Sequence, residues 1–268
     1  MGSLLPVERH RRIEALLRER QALRVSELGE LLGVSEVTVR RDLEALERGG
    51  VLERIHGGAV ATQRVFGEPR YFDAIVTYAE EKLAIGRAAA RLVAPGDTLF
   101  MNAGSTTLEV FRHLASHDLT VVTNNVGTAL EAGAVGTELI LTGGLYHPAS
   151  NSCADPMAMD LLRRVYATKA IIGVEGVSAR YGITTSTAAE AELVRLMIER
   201  TRGEVVVVAD HSKLGKVADF MIAGLDQVGR LVVDSGISAQ YRESLANLEL
   251  ELLIADLAEE TARAWTRA

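Results

Sequence analysis

Residues 35–46 read Ser-Glu-Val-Thr-Val-Arg-Arg-Asp-Leu-Glu-Ala-Leu, and this stretch decides how the first part of the chain folds. Ser35 is a favourable helix N-cap, because its hydroxyl can accept a hydrogen bond from an amide of the first turn. Three apolar side chains then recur at the spacing of one buried helical stripe, namely Val37, Leu43 and Leu46. The stretch therefore predicts an amphipathic helix whose other face exposes Thr38, Arg40 and Arg41.

A shorter helix is predicted just before it, over residues 25–32, with Ser26 as its N-cap. Residues 33–34 (Gly-Val) supply the tight turn between the two helices. This arrangement is a helix-turn-helix, in which the second helix enters the DNA major groove and presents its N-terminal residues to the bases. The alternative is a helical hairpin that binds nothing. The pair Arg40 and Arg41, with no run of acidic residues beside it, favours DNA binding.

The segments on either side complete a small domain. Residues 8–20 place three apolar side chains on one stripe of a first helix: Ile13, Leu16 and Leu17. Residues 51–60 contain two short β-type runs with a Gly-Gly pair at the start of the second, which predicts a hairpin wing. Arg54 and His56 are placed on this wing to contact the DNA backbone or minor groove. For His56, a hairpin that only covers the core is an equal alternative.

The distribution of charge is more informative than its sum. The net charge of −7 alone argues against a nucleic-acid partner. Residues 1–63, however, hold ten arginines and ten acidic residues, so the remaining 19 basic and 26 acidic residues account for the whole negative charge. The arginines of the first segment can still form a local basic face for phosphates.

Composition limits the class of protein. A chain of 268 residues with 48% hydrophobic residues is long enough for one large domain and one small one. No apolar run reaches the roughly 18 residues that span a bilayer, and the N-terminus lacks a signal-peptide pattern, so we expect a cytoplasmic protein without a membrane partner. The single cysteine, Cys153, and the unpatterned histidines indicate no disulfide, no metal site and no cofactor.

A different pattern begins at residue 80, where short β-branched runs alternate with amphipathic helical segments. Strands are predicted at 98–101, 119–123, 138–142, 169–173, 204–209, 230–233 and 250–254. Helices are predicted at 80–93, 106–115 and 188–200. Such alternation predicts an α/β domain with a mostly parallel sheet covered on both faces. The predicted division is a DNA-binding domain over 1–62, a linker over 63–79 and a larger α/β domain over 80–268.

Ligands of open parallel sheets bind beyond the carboxyl ends of the strands. The turn 102–107 follows a strand and opens a helix, so amides, hydroxyls and the helix dipole converge where an anion can bind. The turns 123–125 and 143–144 follow the next strands, and the segment 210–216 adds an ammonium. The candidate ligand-binding residues are Asn102, Gly104, Ser105, Thr106, Thr107, Asn124, Gly143, Gly144 and Lys213. Hydroxyls that only cap a helix, and a solvated lysine, are the alternatives.

The first segment is similar to a known family. Its residues Arg12, Ile13, Val25, Leu28, Leu32, Val34-Ser35, Thr38-Val39-Arg40-Arg41-Asp42-Leu43, Leu46, Gly50 and His56-Gly57-Gly58-Ala59 form a dense ungapped match. They resemble the N-terminal domain of DeoR-family bacterial transcriptional regulators. The resemblance implies a winged helix-turn-helix with Ser35, Thr38, Arg40 and Arg41 in the recognition-helix positions.

The resemblance extends through the second domain. Its residues Glu81-Lys82, Ala103-Gly104-Ser105-Thr106-Thr107-Leu108, Thr123-Asn124, Thr142-Gly143-Gly144, Gly182-Ile183-Thr184-Thr185, Glu190 and Ala209-Asp210-His211-Ser212-Lys213-Leu214-Gly215 look like the C-terminal sensor domain of that family. The resemblance implies a phosphorylated sugar or related metabolite as effector, with Thr184 and Glu190 also at its site. It also implies a fold similar to ribose-5-phosphate isomerase and aminosugar-phosphate deaminases. The chain departs from the family at Asn102, where an aspartate is usual.

Two classes of function follow. The first is a sugar-phosphate-responsive regulator, usually a repressor of a carbohydrate-utilisation operon in this family. The second is a sugar-phosphate isomerase or deaminase fused to a DNA-binding domain, which needs a positioned carboxylate with a partner for proton transfer. Residues 174–182 hold a single acid, Glu175, and no lysine, where related isomerases carry clustered aspartates and Lys-Gly-Gly. The sequence therefore favours a regulator without catalytic residues, which binds a double-stranded DNA operator as a dimer or larger homo-oligomer.

Overall fold

The computed structural model describes residues 5–20, 22–48, 51–55, 57–61, 63–64, 71–114, 118–135, 137–245, 248–257 and 262–264. Its first part contains α1 (Pro6–Arg20), β1 (Ala22–Arg24), α2 (Val25–Leu32), α3 (Glu36–Arg48), β2 (Leu52–Ile55) and β3 (Gly58–Ala61). The three helices pack around a small apolar core, and β1, β3 and β2 lie side by side in an antiparallel wing sheet. The predicted winged helix-turn-helix fold is confirmed.

The boundaries of the helix-turn-helix follow from local capping. Gly33 lies in the left-handed region at φ 66°, and its amide and that of Val34 close the end of α2, as predicted. Ser35 accepts a hydrogen bond from the amide of Thr38 at 3.3 Å and so caps α3. The predicted N-cap Ser26 is wrong, because α2 begins at Val25 after the N-cap Arg24.

One residue of the predicted buried stripe is misplaced. Val37 is 58% exposed, whereas Val39 is fully buried beside Leu43 and Leu46. Only Val39 stands four and seven residues before Leu43 and Leu46, which is the spacing of one helical face, whereas Val37 stands nine residues before Leu46 and so lies on the opposite face. Val37 therefore lies on the outer face, near the N-terminus of α3.

The wing sheet requires a glycine where its strands approach closely. A Cβ on Gly58 would lie 2.4 Å from the carbonyl oxygen of Leu23, inside van der Waals contact. Only glycine fits there without a shift of the backbone. The strand β1, which the sequence did not indicate, thereby pairs with β3 across this close approach.

The linker and the second domain begin with β4 (Gln63–Arg64) and the helices α4 (Tyr71–Val76) and α5 (Ala79–Ala90). Next come β5 (Thr98–Met101), α6 (Ser105–Arg112), β6 (Thr120–Thr123), α7 (Gly127–Val135), β7 (Glu138–Leu141), β8 (Tyr146–His147), β9 (Ser152–Cys153) and α8 (Pro156–Leu162). The following elements are β10 (Ala167–Gly173), β11 (Gly176–Ser178), β12 (Gly182–Thr185), α9 (Ala188–Glu199) and β13 (Thr201–Val208). The last are β14 (Lys216–Val217), β15 (Phe220–Ala223), β16 (Arg230–Asp234), α10 (Ala239–Leu245), β17 (Glu251–Ala255) and β18 (Ala262–Ala264).

The main sheet has the strand order β18-β17-β16-β13-β10-β5-β6-β7, and all its pairs are parallel except β17 with β18. The predicted strands and helices are confirmed to within a few residues. Apolar side chains fill both faces of the sheet, one under α5 and α6 and the other under α8, α9 and α10. The prediction of a mostly parallel, doubly covered sheet is therefore confirmed. In the described ranges, no helix is long and apolar enough to cross a membrane.

Smaller antiparallel and linker pairings lie beside the main sheet. The strands β11 and β12 form a hairpin that pairs with β15, and β4 of the linker pairs in parallel with β14. The wing sheet also packs on the second domain, because Ala22 and Val60 belong to the same apolar cluster as Tyr241 and Leu245 of α10. The two parts of the chain are thus in direct contact.

Candidate functional site

The outer face of α3 carries the side chains predicted to contact DNA. Ser35, Arg40 and Arg41 are exposed, and Thr38 is half-buried. The hydroxyls of Ser35 and Thr38 lie 3.0 Å apart, so both belong to the start of the helix. In helix-turn-helix proteins, the N-terminal end of the second helix is the end that meets base edges in the major groove.

Two of the predicted DNA-contacting arginines lie beside acidic residues. Arg40 pairs with Glu36 at 2.7 Å, and Arg54 on β2 pairs with Glu44 at 3.1 Å. Arg40 therefore has one acidic partner, although no run of acidic residues lies beside the pair Arg40 and Arg41. Exposed ion pairs of this kind contribute at most about 1 kcal/mol to stability, so a DNA phosphate can replace the glutamate as the partner of the arginine.

The remaining predicted residues differ in what is described. Of the residues that the structure describes, none forms an ion pair with Arg41. His56 lies outside the described residues. The DNA contacts of all these side chains stay predictions.

A buried ion pair fixes α3 against α1. Arg9 donates from Nε and Nη2 to both carboxylate oxygens of Asp42, at 2.7 and 3.0 Å, and His10 Nε2 lies 3.0 Å from Asp42 Oδ1. Arg9 is 8% exposed and Asp42 is 5% exposed. Burial opposes ionisation of Asp42, but the hydrogen bonds from Arg9 and His10 outweigh it and hold its pKa below the usual value. The sequence reasoning missed this pair, which sets the position of the recognition helix.

The second domain contains a cavity of about 100 Å³ at the carboxyl ends of the central strands. Its lining residues are Tyr71, Ala74, Lys82, Asn102, Ala103, Gly104, Ser105, Thr106, Ser150, Gly173, Val174, Glu175, Thr185, Glu190 and Lys213. They come from the turn after β5, the start of α6, the end of β10, the linker helix α4, and segments near α5, α9 and β13. The position agrees with the rule that such sheets bind ligands beyond their strand ends.

The turn after β5 is braced from behind. Asn102 exchanges two hydrogen bonds with Gly173 across the adjacent strands, at 2.9 and 2.7 Å. The amide of Ala103 donates to Asn124 Oδ1 at 2.7 Å, and Asn125 Nδ2 donates to the carbonyl of Gly104 at 3.2 Å. These bonds hold the turn in place before any ligand binds.

The start of α6 has the features of an anion site. Within the described residues, no side chain caps its first turn, whose N-cap is Gly104. The amides at this helix start therefore carry a partial positive charge toward the cavity that Ser105 and Thr106 line. An anion placed there would satisfy these amides.

Two lysines add positive charge to the same cavity. Lys82 is 4% exposed and donates to the carbonyl of Thr77 at 2.8 Å, and Lys213 follows β13. Burial lowers the pKa of Lys82, partly offset by the nearby carboxylate of Asp210. A bound anion would favour the charged form of Lys82.

The cavity also contains carboxylates. Glu175 follows β10 and accepts hydrogen bonds from the hydroxyls of Ser186 and Thr185, the latter at 3.4 Å. Glu190 on α9 is 7% exposed and lines the same cavity. Carboxylates beside an anion site suit a ligand with several hydroxyls, because each hydroxyl can donate a hydrogen bond to them.

Three predicted ligand residues lie behind the cavity wall. Thr107 donates to the carbonyls of Asn102 and Gly104, at 2.8 and 3.0 Å. Thr184 accepts from the amide of Ala218, and its neighbour Thr185 faces the cavity instead, because successive strand residues point to opposite sides. Asn124 is 1% exposed, and its Nδ2 has no hydrogen-bond partner among the described residues.

The predicted glycines 143 and 144 lie in an exposed turn outside the cavity lining. Both have positive φ, at 70° and 103°, and a Cβ on Gly144 would lie 2.2 Å from Asp155 Oδ1. Asp155 caps α8 and accepts from the amide of Leu145, so these glycines shape a turn around its carboxylate. Their strand β7 lies two strands away from β5, which explains the separation.

The cavity includes residues that the sequence reasoning did not select. Tyr71 and Ala74 belong to α4, inside the predicted linker. The hydroxyl of the buried Tyr71 donates to Asn125 Oδ1 at 3.4 Å. The sequence of residues 174–182 indicates Glu175 only as a possible catalytic acid. In the part of the chain that the structure describes, no cluster of His, Cys, Asp or Glu could hold a metal ion.

Comparison with known families gives two matches. The family described as the DeoR C terminal sensor domain matches residues 77–235. The family described as the DeoR-like helix-turn-helix domain matches residues 9–65. Together they cover the helix-turn-helix and all of the cavity lining except Tyr71 and Ala74.

Individual proteins match over nearly the whole chain. An uncharacterized HTH-type transcriptional regulator, YulB of Bacillus subtilis, is 33% identical over 257 residues, which is 96% of this chain and 99% of that protein. A putative aga operon transcriptional repressor of Escherichia coli O157:H7 is 32% identical and covers 92% of this chain and 93% of its own length. The chain also aligns with ribose 5-phosphate isomerase A of Methanocaldococcus jannaschii at 16% identity and a TM-score of 0.39, over 52% of this chain and 55% of that chain.

Proposed function

This chain belongs to the DeoR family of helix-turn-helix transcriptional regulators, and we propose that it represses a carbohydrate-utilisation operon and releases its operator when a phosphorylated sugar binds. The observation that carries the proposal is the uncapped start of α6, which meets two lysines in one cavity of the domain attached to the DNA-reading helices. A related anionic metabolite would use the same groups.

The chemistry of the cavity supports this class of effector. Helix amides and the ammoniums of Lys82 and Lys213 suit a phosphate, and the carboxylates of Glu175 and Glu190 suit the hydroxyls of a sugar. One relative is named as a putative aga operon transcriptional repressor, which supports the role of a repressor. That name identifies the operon of the relative only.

The competing function is a sugar-phosphate isomerase or deaminase. Glu175 and Glu190 are carboxylates within the cavity, and proton transfer between sugar carbons needs such a group. We propose that they bind hydroxyls and perform no chemistry, because residues 174–182 hold a single acid and no lysine, where related isomerases carry clustered aspartates and Lys-Gly-Gly. Aldose-to-ketose turnover, or ammonia release from aminosugar phosphates, would contradict this assignment.

A screen followed by a DNA-release assay tests the proposal. Thermal shift against a panel of sugar phosphates, with the unphosphorylated sugars and inorganic phosphate as controls, should single out a ligand that raises the melting temperature by mass action. The same ligand should lower the fluorescence anisotropy of a labelled operator selected from a random duplex pool. A ligand that binds but leaves the operator bound would contradict release.

Arg41→Ala and Arg40→Ala are expected to weaken operator binding by about 1 to 3 kcal/mol each if they contact bases, which is roughly a 5- to 150-fold rise in Kd. A phosphate contact would instead flatten the salt dependence. Arg48→Ala, at the far end of the same helix, is the matched control and should bind almost normally. Wild-type affinity in both test variants would contradict the recognition role of α3.

We propose that the working form is a dimer or larger, assembled through the sensor domain. One winged domain reads only a few base pairs, and symmetric half-sites are met by symmetric protein pairs. Light scattering of the protein with and without operator should give at least twice the mass of one chain. A monomer that binds the operator tightly would contradict this.

A further inference from the structure

The hairpin formed by β11 and β12 has its base in the cavity and its tip on the DNA-binding domain. We propose that this hairpin carries the effector signal to the wing and the recognition helix, with Glu53 as the residue that holds its tip. The inference deepens the proposed function and rests on it for the identity of the signal. The hairpin's contacts, however, can be tested without any sugar or operator.

The base of the hairpin is part of the cavity wall. Glu175 stands just before β11 and Thr185 ends β12, and both line the cavity. Their segments are joined by the hydrogen bond from the Glu175 amide to the Thr184 carbonyl at 3.1 Å. A ligand that forms hydrogen bonds with the carboxylate of Glu175 therefore acts directly on the base of the hairpin, where Glu175 is bonded to Thr184.

The tip of the hairpin is bound to the wing. Ser178 Oγ donates to Glu53 Oε2 at 2.8 Å, and the amide of Arg180 donates to Glu53 Oε1 at 3.1 Å. Glu53 is 3% exposed, so its carboxylate has given up water for these partners. Burial raises the pKa of Glu53 above its usual value, and the hydrogen bond from Ser178 offsets only part of this rise. Loss of the tip would therefore leave a buried carboxylate poorly satisfied.

The same tip also contacts the recognition helix. Arg180 Nη1 donates to the carbonyl of Glu47, in the last turn of α3, at 3.2 Å. One turn of the sensor domain thus holds β2 of the wing through Glu53 and the end of α3 through Glu47. A movement of this turn changes the two DNA-contacting elements together.

The path between base and tip is short and tightly packed. The pairs Gly176 with Thr184, Val177 with Ile183 and Ser178 with Gly182 span the hairpin, a length of roughly 10 Å at the rise of a β-strand. A Cβ on Gly176 would lie 2.4 Å from the carbonyl oxygen of Lys216. The hairpin therefore has little room to absorb a displacement locally.

The segment that carries Lys213 is hydrogen-bonded to the middle of the hairpin. The carbonyl of Val177 accepts from the amide of Gly215 at 2.8 Å and from the hydroxyl of Tyr241 at 2.5 Å. Lys213 lies two residues before Gly215 and lines the cavity. A ligand that engages both Lys213 and Glu175 therefore acts on two points of the same hairpin.

A double-mutant cycle on the full chain tests the link. Glu175→Gln perturbs the base, and Ser178→Ala removes the hydroxyl that donates to Glu53. Hydrogen exchange of the wing amides at 52–55 is the readout. We expect Glu175→Gln to change their exchange rate by about fivefold or more, and we expect this change to become clearly smaller in the Ser178→Ala background, because residues in one hydrogen-bond network are non-additive.

Thr201→Val is the matched control for the background. It also removes a hydroxyl that donates a hydrogen bond, here to the carbonyl of Met197, but at the start of β13, the opposite end of the strand from the cavity. The effect of Glu175→Gln should persist unchanged in that background. If Ser178→Ala lowers the melting temperature too far, Glu53→Gln replaces it, because it keeps the side-chain shape while changing the acceptor.

The outcomes are separable from the fate of the proposed function. Unchanged wing exchange in Glu175→Gln, or an equal change in the wild-type and Ser178→Ala backgrounds, would overturn the hairpin link. Inorganic phosphate and glucose 6-phosphate are added in a parallel measurement of exchange at 102–107. Failure of both to protect that turn counts against the anion site alone, and the cycle still decides the link.

Discussion

Arg9→Ala is expected to lower the free energy of unfolding of the DNA-binding domain by about 3 kcal/mol or more. Removing one partner of a buried ion pair typically costs about 3 to 5 kcal/mol, and Asp42 would keep only His10 beside its buried carboxylate. Arg9 makes a two-point contact with Asp42, and both side chains are more than nine-tenths buried. The loss should be visible as roughly 100-fold faster hydrogen exchange of the most protected amides of α3.

The surface of the same helix supplies the control. Arg11→Ala removes an exposed arginine of α1 and should change exchange very little. Arg9→Lys keeps the charge but loses the fork geometry, so an intermediate effect is expected. Equal protection of α3 in Arg9→Ala and Arg11→Ala would show that the ion pair does not position the recognition helix.

Acid should act on the same pair with a defined sign. The pKa of Asp42 is lower in the folded protein than in the unfolded chain, so its contribution to stability is present above the unfolded pKa and is lost as the pH falls through the folded one. The protection factors of the α3 amides, which correct for the intrinsic pH dependence of exchange, should therefore fall below about pH 4 in the wild type. Asp42→Asn should remove this acid dependence and give faster exchange at neutral pH.

Much of the architecture could be predicted because each element has a local cause. Gly33 can adopt the left-handed turn between α2 and α3, and Ser35 can cap the helix after it. The strands of the main sheet are short apolar runs between amphipathic helices, so their order in the sequence is clear. The buried stripe of α3 also has a local cause, because the helical period places Val39 on one face with Leu43 and Leu46, and the prediction of Val37 on that face is wrong.

The site was harder to predict than the fold. The turn 102–107 has a local signature, whereas the cavity wall formed by Tyr71 depends on where the linker helix folds back. Gly143 and Gly144 satisfied the rule for strand ends, but their strand lies too far across the sheet. Sequence patterns indicate which turns follow strands, and only the strand order tells which turns meet.

Ser105→Asp is expected to abolish the response to the effector while operator binding remains. Ser105 is the first residue of α6 and lines the cavity, so the substitution places a fixed negative charge where the phosphate should bind. Two like charges at contact cost several kcal/mol, which corresponds to a loss of affinity of about 100-fold or more. The fold should tolerate the change, because an acidic residue at a helix start is favourable.

Titration of the sugar phosphate from the thermal-shift screen into a complex of protein and labelled operator measures this. Wild type should release the DNA, whereas Ser105→Asp should keep it bound at the same concentration, and Lys213→Ala should respond more weakly than wild type. Ser238→Asp is the matched control, because the hydroxyl of Ser238 accepts a hydrogen bond from the amide of Tyr241 at the start of α10, and Ser238 lies outside the cavity lining. Since a ligand changes DNA affinity only through its own differential binding to two conformations, a variant that cannot bind it must behave as an uninducible repressor. Release of the operator by Ser105→Asp at the wild-type concentration would show that this turn only begins a helix.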